Sequence, residues 1–473
     1  MNSLLRSLFS VVALCIMGIL IFSVSAQAIE GTLSWSPSPD PDVVGYKVYV
    51  GAESGKYAYS IDVGLQTSFD LSNLEPEEAY YFAVTAYSAD GQESDYSQEL
   101  VSGSPTGKPM PYKLISGLGD YPEHGGWLEL LGADYLHDSW LQVEWEEYVA
   151  ENGEARVASG DIDGDGKDEV VVGLAPVEGV ESVPGGWFTV YDDDYTLLAA
   201  DQIQWTDYNA LNGETWPACG DLDGDGREEI ILGLGSGGKG QSEIFSYTSS
   251  GLEHRGWIQI DWEDYNTLGG VSHPACGDID GDGKDEIIVG FSAISEESAV
   301  PEGWFQVFDN DLSSLAWGQI SWVDYNLVSG ETWPSSGDVN GDGVDEIILG
   351  LGQGGEGRFE TQAYASGNMT HTQWNEVAWD DYNILVGETH PTCGDLDADL
   401  KAETLVGLGK GGKAVMQIFD DLDKEGQYIT SLQVEFQDYQ TVNGETWPAV
   451  AQVIAASGSK NVNINHILYL LLM

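Results

Sequence analysis

Asp161-Ile-Asp-Gly-Asp-Gly-Lys-Asp-Glu169 runs directly into Val170-Val-Val-Gly173, so an acidic, glycine-bearing loop feeds a β-branched strand. Side chains at positions one, three and five of such a loop converge when it curls back on itself, and glycines at positions four and six permit the backbone angles the curl needs. The pattern returns at Asp221, Asp278, Asp338 and Asp395, with separations of 60, 57, 60 and 57 residues. Neighbouring units therefore combine into a superperiod of 117 residues.

An aromatic pair keeps the same time. Trp-x-x-Tyr occurs at Trp145/Tyr148, Trp205/Tyr208, Trp262/Tyr265, Trp322/Tyr325 and Trp379/Tyr382, then as Phe436/Tyr439, which gives six units. Each unit reads as four short strands: one near Gly213-Glu-Thr-Trp-Pro-Ala-Cys219, a second such as Glu229-Ile-Ile-Leu-Gly233 after the acidic loop, and two more ending at the aromatic pair. Repeats of this kind predict an all-β propeller of about six four-stranded blades. The repeated region opens on Tyr112-Lys-Leu-Ile-Ser-Gly-Leu-Gly119, a second-strand sequence, and reaches Trp447-Pro-Ala-Val450, a first-strand sequence. Both ends are thus expected to complete one blade, which removes open sheet edges. The sixth unit lacks the acidic loop after Val450, as expected if the chain were truncated from a seven-bladed parent.

Three carboxylates about 4 Å apart repel by on the order of 1 kcal/mol per contact even in water, so the loops call for a cation. Oxygen donors without His or Cys select calcium. The candidate ligands are Asp161, Asp163, Asp165, Lys167 and Glu169; Asp221, Asp223, Asp225, Arg227 and Glu229; Asp278, Asp280, Asp282, Lys284 and Glu286; and Asp338, Asn340, Asp342, Val344 and Glu346. In the fifth loop, Asp395, Asp397, Asp399 and Glu403 remain, but both glycines are gone and Leu400 stands at the tight turn, so weak binding or none is expected. An EF-hand would carry an acidic residue at position twelve; here it is Val172, Leu232, Val289 or Leu349. The loops instead resemble the FG-GAP calcium loop of integrin α-chain propellers and bacterial VCBS-type repeats, and Glu169, Glu229, Glu286 and Glu346 match that family's ligand at position nine. The resemblance implies a propeller over residues 113–456 with calcium in its blade loops.

Ahead of the repeats, Thr32-Leu-Ser-Trp35, Val44-Gly-Tyr-Lys-Val-Tyr-Val-Gly51 and Tyr80-Tyr-Phe-Ala-Val-Thr-Ala-Tyr-Ser88 alternate as strands. Residues 29–105 resemble a fibronectin type III domain, with Trp35 on an early strand and Leu74-Glu-Pro-Glu-Glu-Ala-Tyr80 as its tyrosine corner. Residues 1–28 read as a secretory signal peptide ending at Ser25-Ala-Gln-Ala28, residues 106–112 as a linker and 457–473 as an irregular tail. A secreted or cell-surface location follows, without a membrane-spanning segment in the mature chain.

The formal charge of −62, from 79 acidic and 17 basic residues, excludes nucleic acid as a partner. The five loops hold only 23 of those carboxylates, so the surface is acidic throughout. Cys219, Cys276 and Cys393 share one Pro-[Ala/Thr]-Cys-Gly-Asp setting and read as small buried residues of the repeat. Gly233-Leu-Gly-Ser-Gly-Gly-Lys239 and Gly407-Leu-Gly-Lys-Gly-Gly-Lys413 are glycine turns, since Gly240 and Ala414 replace the Ser or Thr of a phosphate loop. His273/Cys276 and His390/Cys393 are spaced to face opposite sides of a strand, which disfavours a soft-metal site. Trp216, Trp333 and Trp447 take the histidine position in alternate units, where blade packing is expected ahead of a ligand-stacking ring. No unit carries a catalytic constellation its siblings lack. The expected function is calcium-dependent adhesion or recognition of an extracellular glycan or surface protein. The alternatives are a polysaccharide-active enzyme, because some rhamnogalacturonan lyases look similar in joining such domains, and a purely structural surface component.

Overall fold

The structure, a computed structural model, describes residues 43–452 apart from short stretches, the longest of them 103–111, 177–184 and 293–301, together with Ser38 and residues 23–25 and 28–34. The apolar run of the signal peptide, most of the tyrosine corner and of the linker, and the C-terminal tail lie outside these residues. The chain divides into two compact units, residues 1–110 with 456–473 and residues 111–455.

The first unit is a sandwich of two sheets. Ser23–Ser25, Ala28–Ser34 and Ser68–Leu74 form one, and Lys56–Gly64, Val43–Glu53, Tyr80–Ser88 and Leu100–Ser102, in that spatial order, form the other. Tyr46 and Val48 are both buried, and Ser38 donates its backbone N–H to the Tyr46 hydroxyl. The short strand Ser23–Ser25 falls within the segment read as a signal peptide; cleavage after Ala28 would leave Ile29–Ser34 to pair with Ser68–Leu74.

The second unit is a six-bladed propeller, each blade a four-stranded antiparallel sheet, with the strands of blades 1 to 5 in chain order from the axis outward. The innermost strands of blades 1 to 5 are Ala155–Gly160, Thr215–Gly220, His273–Gly277, Thr332–Gly337 and Thr389–Gly394. The second strands, Glu169–Leu174, Glu229–Leu234, Glu286–Gly290, Glu346–Leu351 and Glu403–Leu408, are buried along their whole length, as their β-branched sequences require. Blade 6 is built from both sides of the unit. Thr446–Gln452 pairs with Tyr112–Leu118, with Thr446 opposite Leu118 and Gln452 opposite Tyr112, and Trp127–Leu131 and His137–Gln142 complete it. The innermost strands then follow one another in a ring, blade 6 packing on blade 1.

Glycine sets how closely the blades approach. In every second strand the residue before the last leucine or phenylalanine of the pattern is Gly, at Gly117, Gly173, Gly233, Gly290, Gly350 and Gly407, and a Cβ there would lie 2.1–2.4 Å from a carbonyl oxygen of the next blade's innermost strand. Five junctions add a hydroxyl: Leu174 donates its N–H to Thr215, Leu234 to Ser272, Phe291 to Thr332, Leu351 to Thr389 and Leu408 to Thr446. At the closing junction Ala155 has no hydroxyl; at the other end of these strands Asp168 exchanges two hydrogen bonds with the Gln452 backbone, at 2.8 and 2.7 Å, as Asp285 does with Asp221.

The aromatic pairs do not end the outer strands as expected. Each tryptophan, or Phe436, stands just before a one-turn helix that follows the outer strand, and the tyrosine of the pair lies within that helix: Glu146–Ala150, Thr206–Leu211, Glu263–Thr267, Val323–Asn326, Asp380–Leu385 and Gln437–Val442. Helices of four to six residues are too short to display a helical period in sequence. Their purpose is legible in the tyrosines, all buried: each hydroxyl donates to the carbonyl that opens the next innermost strand, as Tyr208 does to Glu214 at 2.6 Å, and accepts a backbone N–H, here Gly235 at 2.7 Å. The same clamp recurs at Tyr148, Tyr265, Tyr325, Tyr382 and Tyr439.

The 117-residue superperiod also has a structural meaning. In blades 6, 2 and 4 a fully buried third-strand glutamate, Glu129, Glu243 or Glu360, accepts a backbone N–H from the preceding connector and lies 2.7–2.8 Å from a histidine, His137, His254 or His371. In blades 3 and 5 the same backbone duty falls to the uncharged Gln306 and Gln417.

Two outcomes follow. Gly290→Ala should lower the denaturation midpoint by an amount equivalent to about 1–3 kcal/mol, because its Cβ meets the Thr332 carbonyl; an unchanged midpoint would contradict the packing described. Burial pushes the Glu243 carboxyl from 4.5 up to about 7. The folded state then holds this proton more tightly than the unfolded chain, so its contribution to stability falls as pH rises from about 4.5 to about 7. Glu243→Gln, which mimics Gln306, should therefore gain on the parent by on the order of 1–3 kcal/mol between pH 5 and pH 8 in saturating calcium. Urea midpoints at both pH values measure it; a pH-independent difference would refute it.

Candidate metal centres

The acidic loops join the innermost strand to the second in blades 1 to 5. In the first, the Asp161 carboxylate accepts the N–H groups of Gly164 and Gly166 at 2.8 and 2.9 Å, and Asp163 and Asp165 accept those of Asp165 and Lys167 at 3.1 and 3.0 Å. Gly164 and Gly166 have φ of 80° and 90°, the left-handed region that the curl demands. Glu169, at the start of the second strand, is fully buried: one oxygen accepts from Ile162 and Asp163 while the other makes no hydrogen bond. Donor oxygens of Asp161, Asp163 and Glu169 all lie within 4.8 Å of one another.

Loops two and three repeat the cradle. Asp221 and Asp278 each accept three backbone N–H groups, and Asp221, Asp223 and Asp225, like Asp278, Asp280 and Asp282, bring donor oxygens within the same 4.8 Å. Arg227 and Lys284, at position seven, donate their N–H to Asp225 and Asp282. In the fourth loop Asp338 accepts from Gly341, Asp342 and Gly343, Val344 donates to Asp342, and Asn340 donates through its amide to Glu346. Glu286, Glu346 and Glu403 each keep one buried oxygen that makes no hydrogen bond, as Glu169 does. Burial in the company of the loop aspartates lifts these carboxyls, to about 8 for Glu169 and Glu286, about 7 for Glu229 and Glu346, and about 9 for Glu403. Such groups fit a hard divalent cation, which would satisfy the idle oxygens and relieve the repulsion.

The fifth loop closes without its glycines. Asp395 accepts from Asp399 and Leu400 at 3.0 and 3.1 Å, and Asp395, Asp397 and Asp399 converge within 4.8 Å. Leu400 takes φ of 75° to do so. The carboxylate cradle, rather than the glycine, therefore shapes this turn.

The loops also bind the ring together. The residue at position eight donates its N–H to the carbonyl of the aspartate that opens the preceding blade's loop: Glu228 to Asp161, Asp285 to Asp221, Asp345 to Asp278 and Ala402 to Asp338, at 2.8–3.1 Å. A cation held by one loop would thus stiffen the contact with the next blade.

A fibronectin type III domain model matches residues 20–102, and an FG-GAP-like repeat model matches residues 221–289, which include the second and third loops. The chain joins a fibronectin type III domain to an FG-GAP-like propeller. Among solved structures, the rhamnogalacturonan lyase YesW is 14% identical, with 94% of this chain and 83% of that one covered and a TM-score of 0.35. The Bacillus licheniformis rhamnogalacturonan lyase PL11 gives the same identity and coverage with a TM-score of 0.33, and the Dos1 propeller gives 11%, 75%, 70% and 0.36. No curated protein matches the chain. At these TM-scores the likenesses carry no argument, and the architecture rests on the six sheets themselves.

At the opposite end of the innermost strands, the FG-GAP-like propeller closes its axis with aromatic rings. Trp216, Trp333 and Trp447 meet with ring centroids 4.9–5.1 Å apart. Between them stand the residues of the alternate blades: His273 stacks on Trp333 at 3.6 Å, His390 on Trp447 at 3.7 Å, and the Arg156 guanidinium covers Trp216 at 3.4 Å. Trp333 and Trp447 are buried, so this is blade packing and not an open stacking platform. Glutamates at the strand starts surround the plug. Arg156 pairs with Glu154 and Glu214, Ser292 bridges His273 to Glu331, and Glu388, His390 and Glu445 cluster within 4.8 Å. Burial, with Glu154 and Glu388 beside it, holds the Glu445 carboxyl well above the usual range.

Sequence reasoning paired each histidine with the cysteine three residues on, and the strand separates them as expected. Cys219, Cys276 and Cys393 are free thiols whose pKa burial raises. It missed the partner two residues before: Glu388 and His390 share one strand face, a spacing visible in the sequence.

Leu400 is 82% exposed and gains little from burial, so Leu400→Gly should remove a backbone cost of about 1–2 kcal/mol, partly offset by glycine's greater chain entropy. A net gain of roughly 0.5–1 kcal/mol in chelator is the expected result. A lower melting temperature would show that this turn is not strained.

Proposed function

We propose that this chain is an exported calcium-loaded recognition protein, in which cations in the blade loops stiffen the propeller and its surface takes an extracellular glycan or surface protein. The observation that carries the reading is the buried glutamate of the acidic loops: Glu169, Glu286, Glu346 and Glu403 each spend one oxygen on the loop or leave it to a loop side chain, and each leaves another buried and unbonded beside converging aspartates or, in the fourth loop, Asp338 and Asp342. A cation with several oxygen ligands would satisfy that arrangement in every copy. Partly exposed loops of this kind bind calcium at about 10⁻⁴–10⁻³ M in extracellular modules, which suits an exported chain rather than a cytosolic one. Among the described residues no helix is long and apolar enough to cross a membrane.

Among the described residues the carboxylates of the acidic loops are accounted for by the repeat, which favours binding over cleavage as their role. Two measurements test this. Metal analysis of purified protein should find four to five calcium ions per chain, and chelation should lower the melting temperature; a metal-free protein indifferent to chelator would end the proposal. The calcium-loaded protein should then be retained on a glycan array, including pectic polymers, without shortening them. Unsaturated oligosaccharide products would replace recognition with lyase activity.

A further inference from the structure

We propose that Glu388, His390 and Glu445 form a site for one divalent transition-metal ion at the axial mouth of the propeller, distinct from the acidic loops. The three side chains present donor atoms within 4.8 Å of one another. They stand at the start of the innermost strands of blades 5 and 6, whereas the acidic loops leave the other end of those strands.

His390 is held for ligation. Its ring lies flat on Trp447, 14° from parallel, and Nδ1 is 3.0 Å from the Thr446 carbonyl, so that nitrogen carries the proton and donates it. Nε2 then faces Glu388 Oε1 at 3.1 Å. In a neutral imidazole that pairs two lone pairs, and the arrangement calls for a positive centre between them. An imidazole donating one N–H to a backbone carbonyl while its other nitrogen faces outward is the posture of metal-bound histidines.

Glu445 supplies an independent observation. It is only 6% exposed, and among the described residues its carboxylate makes no hydrogen bond or ion pair. A proton on His390 would answer Glu388 but not Glu445. The nearby protein cations are committed elsewhere, Arg156 to Glu154 and Glu214 and Lys410 to Asp120. In blade 3 the related His273 meets Ser292, which donates to Glu331, and Val271 replaces the glutamate two residues before it. Blade 5 keeps Glu388 and has Gly409 where Ser292 stands, so the imidazole and carboxylate meet directly.

One imidazole and two carboxylates favour zinc, cobalt or manganese over calcium. Three protein donors leave coordination positions open to water or to a ligand's oxygen.

The test uses the full chain in millimolar calcium, so that the acidic loops are filled by their own ion. Cobalt(II) should then bind with a stoichiometry of one, give visible d–d absorption, and be displaced by zinc. His390→Gln and Glu445→Gln should each weaken zinc binding at least about tenfold, with the calcium-dependent melt unchanged, whereas His371→Gln should bind like the parent. Absence of a cobalt band in the calcium-saturated parent protein overturns the site whether or not the variants fold. Zinc binding that survives both substitutions assigns the ion to the acidic surface and equally overturns it.

Discussion

Six innermost strands meet round one axis only if nothing projects from each second strand where the next blade's carbonyl sits. That steric constraint fixes Gly117, Gly173, Gly233, Gly290, Gly350 and Gly407, and most other features follow from it. Once blades approach so closely, buried backbone groups at the junction need partners, which threonine and serine hydroxyls supply at five of the six junctions. The tyrosines of the one-turn helices then pin the start of every innermost strand, and so place the residues two positions on, Arg, Trp or His, against one another on the axis.

The same closeness concentrates charge. Position eight of each loop reaches the preceding blade, so Asp168, Asp285 and Asp345 are half-buried between blades, and desolvation raises their carboxyls to about 7, 6 and 7. A chain with 79 acidic residues could have kept them all in water. Placing so many where water is scarce makes the ring's cohesion depend on protons or cations, and a cation at one loop acts through the position-eight hydrogen bond on its neighbour. Cations bound in these loops would therefore act on blade closure as well as on the loops themselves.

Much of this was legible in the sequence because the repeat states it five or six times. The recurring aromatic pairs gave the blade count, and the match of Tyr112–Leu118 to a second strand gave the closure. The one-turn helices were not legible, since four to six residues show no period, and a tyrosine that clamps two backbone groups looks in sequence like any core aromatic. In the fifth loop the missing glycines pointed to weak binding or none; the turn itself still forms, Leu400 taking a φ of 75° with its N–H accepted by Asp395. Local preference there yields to several hydrogen bonds acting together.

The axial cluster was hidden for a different reason: its members come from consecutive blades and differ from their siblings by single residues. The 117-residue superperiod places three cation-bearing or cation-accepting groups, Arg156, His273 and His390, on three tryptophans. From that shared frame the three have parted. Arg156 carries its own charge and neutralises two glutamates; His273 has lost the glutamate before it and leans on Ser292; His390 keeps Glu388 and gains Glu445 from the closing blade. Repetition supplied the scaffold, and it is the departure from repetition in one of three equivalent places, where an imidazole and two carboxylates meet with no lysine or arginine ion-paired to them among the described residues, that gives the axis its chemistry.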